Sequence, residues 1–285
     1  MAKPRRALII EGGGMKAAYA SGVLTAFEQA GYWPWDLVVG TSAGGALAAW
    51  AAAGQAEFAE GTWAYASDPR ILSYGRWLRR QGPALDHDAL FRLVYEDEHP
   101  LDVAAVASCP TPVHVTVADI HEGRCHYPDI RQGAVIDWLR ATGRLPFAAG
   151  DPVEIGGRAY LDGGILDPIP LRWVLAQGAT EVTLIRNKPD GVVKKDSRLL
   201  LELASRRYPR LRQGLLDHQK LKQDAAALAR HPPEGVTVQV VQPTTDTGVS
   251  RMTRDQDLLN AALQRGRVDG ARHVANRGEG LQIAA

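Results

Sequence analysis

Residues 38–45 decide the fold of this chain, and they read Val38-Val39-Gly40-Thr41-Ser42-Ala43-Gly44-Gly45. The two valines end a short apolar run, which predicts a buried strand. Residues 46–53 are almost all alanine and leucine, which favours a helix, and Gly54 ends it. Between the two lies a turn rich in glycine. The stretch therefore predicts a strand, a sharp turn and a helix.

The serine in this turn lies between Gly40 and Gly44, which matches the pattern G-x-S-x-G. In that pattern the glycines let the backbone turn tightly enough to expose a nucleophilic hydroxyl. The alternative is an ordinary strand-to-helix turn in which Thr41 or Ser42 caps the helix. The five residues alone do not separate these two interpretations.

The segment before this turn predicts a second strand and a second glycine-rich loop. Residues 6–11, which are apolar at 7–10, predict a strand that ends at Gly12-Gly13-Gly14, and residues 15–30 have a helical pattern. Together with the serine turn they predict a parallel βαβ unit. Because the carboxyl ends of parallel strands meet at one edge of a sheet, we expect the Gly12–Gly14 loop to lie near Ser42.

The composition is that of an ordinary globular protein of 285 residues, with 45% hydrophobic and 23% charged residues. Lys and Arg number 33 and Asp and Glu 32, so a formal charge of +1 gives no support for nucleic-acid binding. No stretch reaches the roughly 18 apolar residues of a membrane span, and residues 7–10 are too short an apolar run for a signal peptide. We expect Cys109 and Cys125 to be free thiols and the chain to be cytoplasmic.

The remaining segments extend the α/β pattern. We expect one domain over residues 1–285, a three-layer α/β/α fold whose mostly parallel central sheet is flanked by helices. Its parts would be a core at 6–190, an irregular insertion at 55–110 and a C-terminal extension at 191–285. Further elements are predicted as strands at 112–119, 124–127, 153–155, 158–161, 181–186 and 236–241, and as helices at 86–95, 136–142, 171–177, 197–230 and 255–275.

Two segments leave a choice between contact with lipid and ordinary packing. The insertion mixes aromatic and basic residues, so it could be a lid or a lipid-facing surface, or simply helices packed on the core. Residues 197–230 combine Arg and Lys with Leu, which fits either a solvated helix face or peripheral contact with a membrane or partner.

A serine nucleophile needs a base to take its proton and fixed donors to meet the oxyanion. The backbone amides of Gly13, Gly14 and Met15 lie where a glycine-rich loop meets a helix start, which suits a negative charge. Asp162 is the best candidate base, because it ends a predicted strand and two glycines follow it. The alternative for residues 162–164 is a plain turn.

A triad would use histidine instead, and the chain has eight. None lies in a glycine-flanked loop at a strand end, and His121 and His126, beside a predicted hairpin, are the least unsuitable. We expect both to be surface or structural residues.

Two other folds share part of this pattern. An α/β-hydrolase has several strands before its nucleophile, whereas only one fits before Ser42, so we exclude it. Gly12-x-Gly14-x-x-Ala17 satisfies a lenient dinucleotide fingerprint, but Asp36 precedes the second strand instead of ending it. A dinucleotide- or anion-binding protein without hydrolase activity therefore remains the alternative.

Three motifs in order resemble the patatin-like phospholipase family, particularly its bacterial members. They are Gly12-Gly13-Gly14-Met15-Lys16, Gly40-Thr41-Ser42-Ala43-Gly44 and Asp162-Gly163-Gly164. The segment 161–170 is also similar to the family's sequence around the catalytic aspartate, and the likeness covers about residues 6–190.

The resemblance implies a Ser-Asp dyad, with Ser42 as nucleophile and Asp162 as base and with no histidine. It also implies an oxyanion hole at the Gly12–Gly14 loop and Met15, a basic residue at Lys16, and supporting glycines at Gly40, Gly44, Gly163 and Gly164. The implied activity is lipid degradation, in which a lipid or small ester is hydrolysed through an acyl-enzyme. We expect no metal and no organic cofactor.

Overall fold

The computed structural model describes residues 5–68, 70–71, 73, 75, 78–79, 81–82, 86–146, 150–191 and 198–282. The strands among them are β1 (Arg6–Ile10), β2 (Leu37–Thr41), β3 (Val113–Asp119), β4 (Arg124–His126), β5 (Val153–Ile155), β6 (Arg158–Asp162), β7 (Glu181–Ile185) and β8 (Thr237–Val241). The helices are α1 (Ala18–Gln29), α2 (Ala43–Ala52), α3 (Ala56–Ala59), α4 (His87–Leu90), α5 (Val103–Ser108), α6 (Val135–Thr142), α7 (Leu171–Ala176), α8 (Arg198–Arg207), α9 (Arg212–Arg230) and α10 (Gln256–Gln282). Short 3-10 helices span Gly14–Ala17, Glu60–Ser67, Ile130–Gln132, Gly163–Ile165 and Pro209–Leu211, and a π-helix, Phe91–Glu98, continues α4.

The eight strands of the described residues form one sheet, along the hydrogen-bonded path β5-β6-β3-β2-β1-β7-β8, with β4 also paired to β3. β1 pairs in parallel with β2 and β7, β2 with β3, and β7 with β8, whereas the β3–β4, β3–β6 and β5–β6 pairs are antiparallel. The predicted fold class is confirmed: the protein is α/β, with a mostly parallel sheet flanked by helices.

Side chains of the central strands are buried on both faces of the sheet, as expected for parallel strands covered by helices. Successive residues of β1 alternate between two hydrophobic clusters. Leu8 and Ile10 pack with residues of α1 and α2, and Ala7 and Ile9 pack with residues of α7 and α9. The structure therefore has a helical layer on each side of the sheet.

Strands β2 and β6 share one edge of β3, and this arrangement is what builds the site. His114 of β3 pairs with Val39 of β2 along one edge of β3 and with Asp129 along the other edge. Asp129 belongs to the chain that continues from β4, so β2 and β4 lie on opposite edges of β3. Val117 pairs with both His126 of β4 and Asp162 of β6, so β6 lies on the edge of β3 that faces away from β4. This is the edge that β2 occupies. The carboxyl ends of β2 and β6 therefore meet end to end beside β3.

The C-terminal extension belongs to the same layers. β8 pairs with β7, and α10 crosses α1 so closely that a side chain at Gly22 or Gly266 would collide with the backbone of the other helix. The Tyr19 hydroxyl of α1 also donates to the Asp269 carboxylate of α10 at 3.0 Å. The last helix is thus held against the helix that follows the first glycine loop.

Most sequence-predicted elements are confirmed within a few residues of their expected bounds. The helix at 86–95 is capped by Asp86, whose Oδ1 accepts from the Ala89 amide at 3.0 Å, and it continues as the π-helix. The prediction of one helix over 197–230 is wrong: the stretch divides into α8 and α9 at Pro209. Proline has no amide hydrogen and its ring clashes with the preceding turn, so the helix ends before it.

Other expectations for the chain have mixed outcomes. Tyr74, Arg76, Trp77 and Arg80 of the insertion lie outside the described residues. Cys109 and Cys125 are both free thiols, as expected. Among the helices of the described residues, none combines the length and the apolar composition that crossing a bilayer requires.

Candidate active site

Ser42 lies on a strained turn between β2 and α2. Its φ of 56° and ψ of −128° fall where residues other than glycine are rare. The turn is tight enough that a side chain at Gly40 would collide with the Gly44 carbonyl, and one at Gly44 with the Ile10 carbonyl. The glycines of the G-x-S-x-G pattern are therefore required by close backbone packing.

The backbone of Ser42 is held by a residue that the sequence did not indicate. The Ser42 amide donates to Thr142 Oγ1 at 2.9 Å, from the last residue of α6. Although Ser42 occupies the N-cap position of α2, its side chain makes no capping hydrogen bond to Ala43–Ala52. The interpretation of Ser42 as a residue whose side chain caps the helix is wrong.

Asp162 ends β6 and is 2% exposed. Its Oδ1 accepts from the Gly164 amide at 2.8 Å, and its own amide donates to the Arg144 carbonyl at 3.0 Å. A side chain at Gly163 would collide with Thr116 of β3, so the chain can leave the strand here only with glycine. These contacts fix the carboxylate at the end of the strand.

Hydrogen bonding from the Ser42 side chain is one of the influences that lower the pKa of Asp162, so the two side chains are neighbours. Burial raises the pKa of Asp162 from 3.8 to about 6, against the opposing effects of this hydrogen bond and the one from Gly164. The positive charges of Arg251 and Lys222 also lower the pKa of Asp162. The pair thus combines a hydroxyl with a buried carboxylate whose affinity for a proton is increased.

The first glycine loop lies against Ser42, as the sequence predicted. A side chain at Gly12 would stand 2.5 Å from the Thr41 carbonyl oxygen and 2.8 Å from Ser42 Cβ. Lys16, in the last turn of the 3-10 helix Gly14–Ala17, would be 3.3 Å from a side chain at Gly13. The loop and the serine turn are therefore in direct contact at the end of the sheet.

The Met15 amide, one of the four expected oxyanion donors, is engaged within the protein. It donates to the Arg251 carbonyl at 3.2 Å. Gly14 has a left-handed φ of 57°, and a side chain there would be 2.6 Å from the same carbonyl. Arg251 belongs to the loop before α10, so the C-terminal extension supports the glycine loop. No motif in the sequence pointed to Arg251.

The amino end of this loop is held by Asn187, just after β7. The Asn187 side-chain amide donates to the Glu11 carbonyl at 2.8 Å, and its backbone amide donates to Glu11 Oε2 at 3.0 Å. Both residues are buried. The sequence indicated neither of them, because their positions are 176 residues apart and only the β1–β7 pairing joins them.

His121 and His126 lie at the hairpin that follows β3, in a different ionic network. His126 Nε2 is 2.9 Å from Glu122 Oε2, and the His121 amide donates to Asp119 Oδ1 at 2.8 Å. Asp119, Glu122 and His126 are grouped closely enough to bind a metal ion, but Arg158 forms ion pairs with both carboxylates. Hydrogen bonds from Arg158, His126 and Arg124, of which that from Arg158 has the largest effect, lower the pKa of Glu122 to about 2.

Comparison with known proteins gives a consistent assignment. The patatin-like phospholipase family model matches residues 8–175. The uncharacterized protein YjjU of Escherichia coli K12 is 29% identical over 193 residues, which cover 65% of this chain and 52% of that protein. An uncharacterized NTE family protein of Mycobacterium tuberculosis H37Rv is 29% identical over 174 residues, covering 59% of this chain and 45% of that protein. The chain therefore spans about half the length of these relatives.

Among solved structures, VipD from Legionella pneumophila aligns with a TM-score of 0.44 and 11% identity, covering 95% of this chain and 67% of that one. The family match is the stronger finding, because it extends over more than half of the chain and includes both glycine-rich loops and the Asp162 turn. The resemblance seen in the three sequence motifs is confirmed, and the chain belongs to the patatin-like phospholipase family.

Proposed function

We propose that this protein is a serine acyl hydrolase of the esterase or phospholipase A type. It would cleave lipid or other carboxylic esters with Ser42 as the nucleophile and Asp162 as the base. The observation that carries the proposal is that the end of β2, which bears Ser42, meets the end of β6, which bears the buried Asp162 carboxylate with its pKa raised to about 6. A carboxylate with this pKa is mostly ionised at neutral pH yet is a stronger base than an exposed aspartate.

In the acylation half-reaction, Ser42 Oγ attacks the ester carbonyl carbon while its proton passes to the Asp162 carboxylate. The tetrahedral intermediate then expels the alcohol, which takes the proton back from Asp162. The acyl group remains bonded to Ser42 Oγ. In the second half-reaction Asp162 accepts a proton from water, the hydroxide equivalent attacks the acyl carbon, and the carboxylic acid leaves as Ser42 regains its proton.

For the oxyanion we propose the backbone amides of Gly13 and Gly14 as donors. The support is the contact between this loop and the Ser42 turn, together with the open backbone that glycine provides. A donor of this kind contributes roughly 3 to 4 kcal/mol to transition-state stabilisation. The Met15 amide has a supporting role instead, since its hydrogen bond to the Arg251 carbonyl fixes the position of the loop.

The alternative, a dinucleotide- or anion-binding protein without hydrolase activity, has no specific observation in its favour. A dinucleotide fold would have an acidic residue at the end of β2 to bind the ribose. That position is occupied by Ser42, whose backbone is strained and which lies beside the end of β6 that carries Asp162. Strain of this kind is typical of a catalytic residue.

The proposal is tested by hydrolysis of a short p-nitrophenyl ester. We expect Ser42→Ala and Asp162→Asn each to lower kcat/KM by at least about a thousandfold. Ser108→Ala, at an exposed serine of α5, is the matched control and should keep full activity. The double variant His121→Ala/His126→Ala should stay within about threefold of the wild type. A loss of several hundredfold in that variant would favour a histidine base and contradict the proposed pair.

A further inference from the structure

Positive charge is concentrated at the junction between α8 and α9. Residues 203–216, which we call the arginine corner, contain four arginines and no Asp or Glu, although the whole chain has a formal charge of only +1. Arg206, Arg207 and Arg210 are exposed. Arg212 is exposed too, but it bonds to Ser205 Oγ at 3.1 Å and lies 3.6 Å from Glu202. Three arginines thus present their charge to solvent at one corner.

Two exposed leucines are the first and last residues of the arginine corner. Leu203 is 44% exposed and Leu216 is 38% exposed, and they flank the corner at its two ends. By contrast, Leu211 and Leu215 between them are buried. A surface that combines exposed aliphatic side chains with arginines has the composition of a segment that lies at a bilayer interface.

The buried side of the arginine corner packs against the segment that carries Asp162. Leu211 and Leu215 share a hydrophobic cluster with Leu161 and Ile165, which lie one residue before and three residues after Asp162. A side chain at Gly214 would be 2.9 Å from the Ile165 carbonyl oxygen. The corner that carries the exposed arginines therefore packs directly on the segment around Asp162.

We propose that the arginine corner is the surface by which this protein docks onto an anionic lipid bilayer. Anionic headgroups attract the three exposed arginines, and each arginine near such a surface strengthens binding roughly fivefold. Leu203 and Leu216 enter the interface between headgroups and acyl chains. The purpose of docking, delivery of a lipid ester to Ser42, rests on the proposed function, but the docking itself does not depend on catalysis.

A bilayer fits this surface better than a nucleic acid does. Phosphate contacts of a nucleic acid need basic side chains only, and two exposed leucines would remain in water at such an interface. At a bilayer the same leucines leave water, so both kinds of exposed side chain are used. The family membership agrees with a lipid as the partner.

The test is co-sedimentation with two kinds of vesicle. Neutral vesicles contain phosphatidylcholine alone, and anionic vesicles also contain about 30% phosphatidylserine. We expect wild-type protein to bind the anionic vesicles and to be released by salt. The variant Arg206→Glu/Arg210→Glu should bind at least about 25-fold more weakly, since two attractions are lost and two repulsions gained. The control Arg79→Glu/Arg92→Glu makes the same charge change at exposed arginines outside the corner and should bind like wild type.

The leucines are tested by Leu203→Ser/Leu216→Ser, for which we expect weaker binding to the anionic vesicles at low salt, where the wild-type protein binds. Val268→Ser is the control, because Val268 is 54% exposed on α10, outside the corner. Circular dichroism and thermal melting show whether each variant is folded, and Ser42→Ala protein should bind vesicles like wild type. Loss of hydrolysis in Ser42→Ala therefore reports on the proposed function alone.

Three results would overturn the docking proposal. One is equal binding to neutral and anionic vesicles. Another is wild-type binding by folded Arg206→Glu/Arg210→Glu protein. The third is binding to duplex RNA at physiological salt without any binding to anionic vesicles, which would identify the corner as a nucleic-acid surface.

Discussion

Ser42 lies beside Asp162 because β2 and β6 end against each other on the same edge of β3. Thr41 pairs with Thr116, and Asp162 pairs with the next residue, Val117. One residue past β2 and the last residue of β6 are thus neighbours, although 120 positions separate them in the chain. A rigid sheet fixes their relative position, which favours the proposed proton transfer between them.

The first prediction concerns the pH dependence of ester hydrolysis. Asp162 acts as a base only when it is ionised, and burial raises its pKa to about 6. We therefore expect kcat/KM for a neutral ester to rise tenfold per pH unit below this value and to level off above about pH 7. Initial rates between pH 4.5 and 8.5 test it. A flat profile over this range would contradict the role of Asp162.

The second prediction is that Asp162→Asn stabilises the fold at neutral pH. The folded-state pKa of Asp162 is above its ordinary value of 3.8, so its ionisation destabilises the folded protein. This cost is absent below pH 3.8, grows as the pH rises towards 6, and is fully present above it. A pKa difference of about 2 corresponds to about 3 kcal/mol.

Urea unfolding at pH 4 and pH 8 measures this effect. We expect the Asp162→Asn variant to exceed the wild type in free energy of unfolding at pH 8 by up to about 3 kcal/mol, and the difference to shrink at pH 4. Asparagine can still accept from the Gly164 amide, so that hydrogen bond is retained. A variant less stable than wild type at pH 8 would contradict the prediction that ionisation of buried Asp162 destabilises the folded protein.

The third prediction concerns Thr142, which accepts the hydrogen bond from the Ser42 amide. Thr142→Val keeps the shape but leaves this amide without its acceptor, a change that costs about 1 to 3 kcal/mol for a buried group. We expect kcat to fall about tenfold to a hundredfold with KM within about twofold. Thr142→Ser restores the hydroxyl and should restore most of kcat. Equal activity of the valine and serine variants would exclude a positioning role.

The fourth prediction separates backbone strain from the contact between Gly14 and Arg251. Gly14 and Gly31 have similar left-handed φ values, 57° and 61°, so alanine costs about 1 to 2 kcal/mol of stability at either position. Only at Gly14 does the new side chain also meet the Arg251 carbonyl, at 2.6 Å, whereas at Gly31 it enters open space.

We therefore expect Gly14→Ala to lower kcat at least about tenfold, because the collision displaces the proposed oxyanion loop. Gly31→Ala should lower the melting temperature and leave kcat unchanged. Paired kinetic and melting measurements distinguish the two effects. If both variants kept full kcat, the contact with Arg251 would have no influence on the loop.

Local sequence was enough to predict most strands and both glycine-rich loops. Their signals are short range: an apolar run, then glycines, then a helical pattern, as at Ile10 and the loop that follows it. The closeness of that loop to Ser42 was also predictable, because parallel strands bring their carboxyl ends to one edge. Pro209 is also a sequence signal for the end of a helix. The prediction of a single helix over 197–230 was wrong because it did not take this proline into account.

The supports of the site were not predictable, because they arise from contacts between distant parts of the chain. Thr142 is an unremarkable residue at the end of a helix until the fold places it beside the Ser42 amide. Arg251 reaches the Gly14 loop only because α10 packs on α1 through small residues at Gly22 and Gly266. Neither relationship leaves a periodic or motif-like signal in one sequence.

The most direct test of the central claim is covalent labelling by a fluorophosphonate ester, with the modified residue identified by mass spectrometry. We expect one phosphonyl group on Ser42 in the wild type, at a rate that rises with pH through about 6, and much slower labelling of Asp162→Asn. Ser42→Ala should not be labelled. Labelling of a different residue, or Ser42→Ala protein that still hydrolyses esters at the wild-type rate, would contradict the proposal that Ser42 and Asp162 form the catalytic pair.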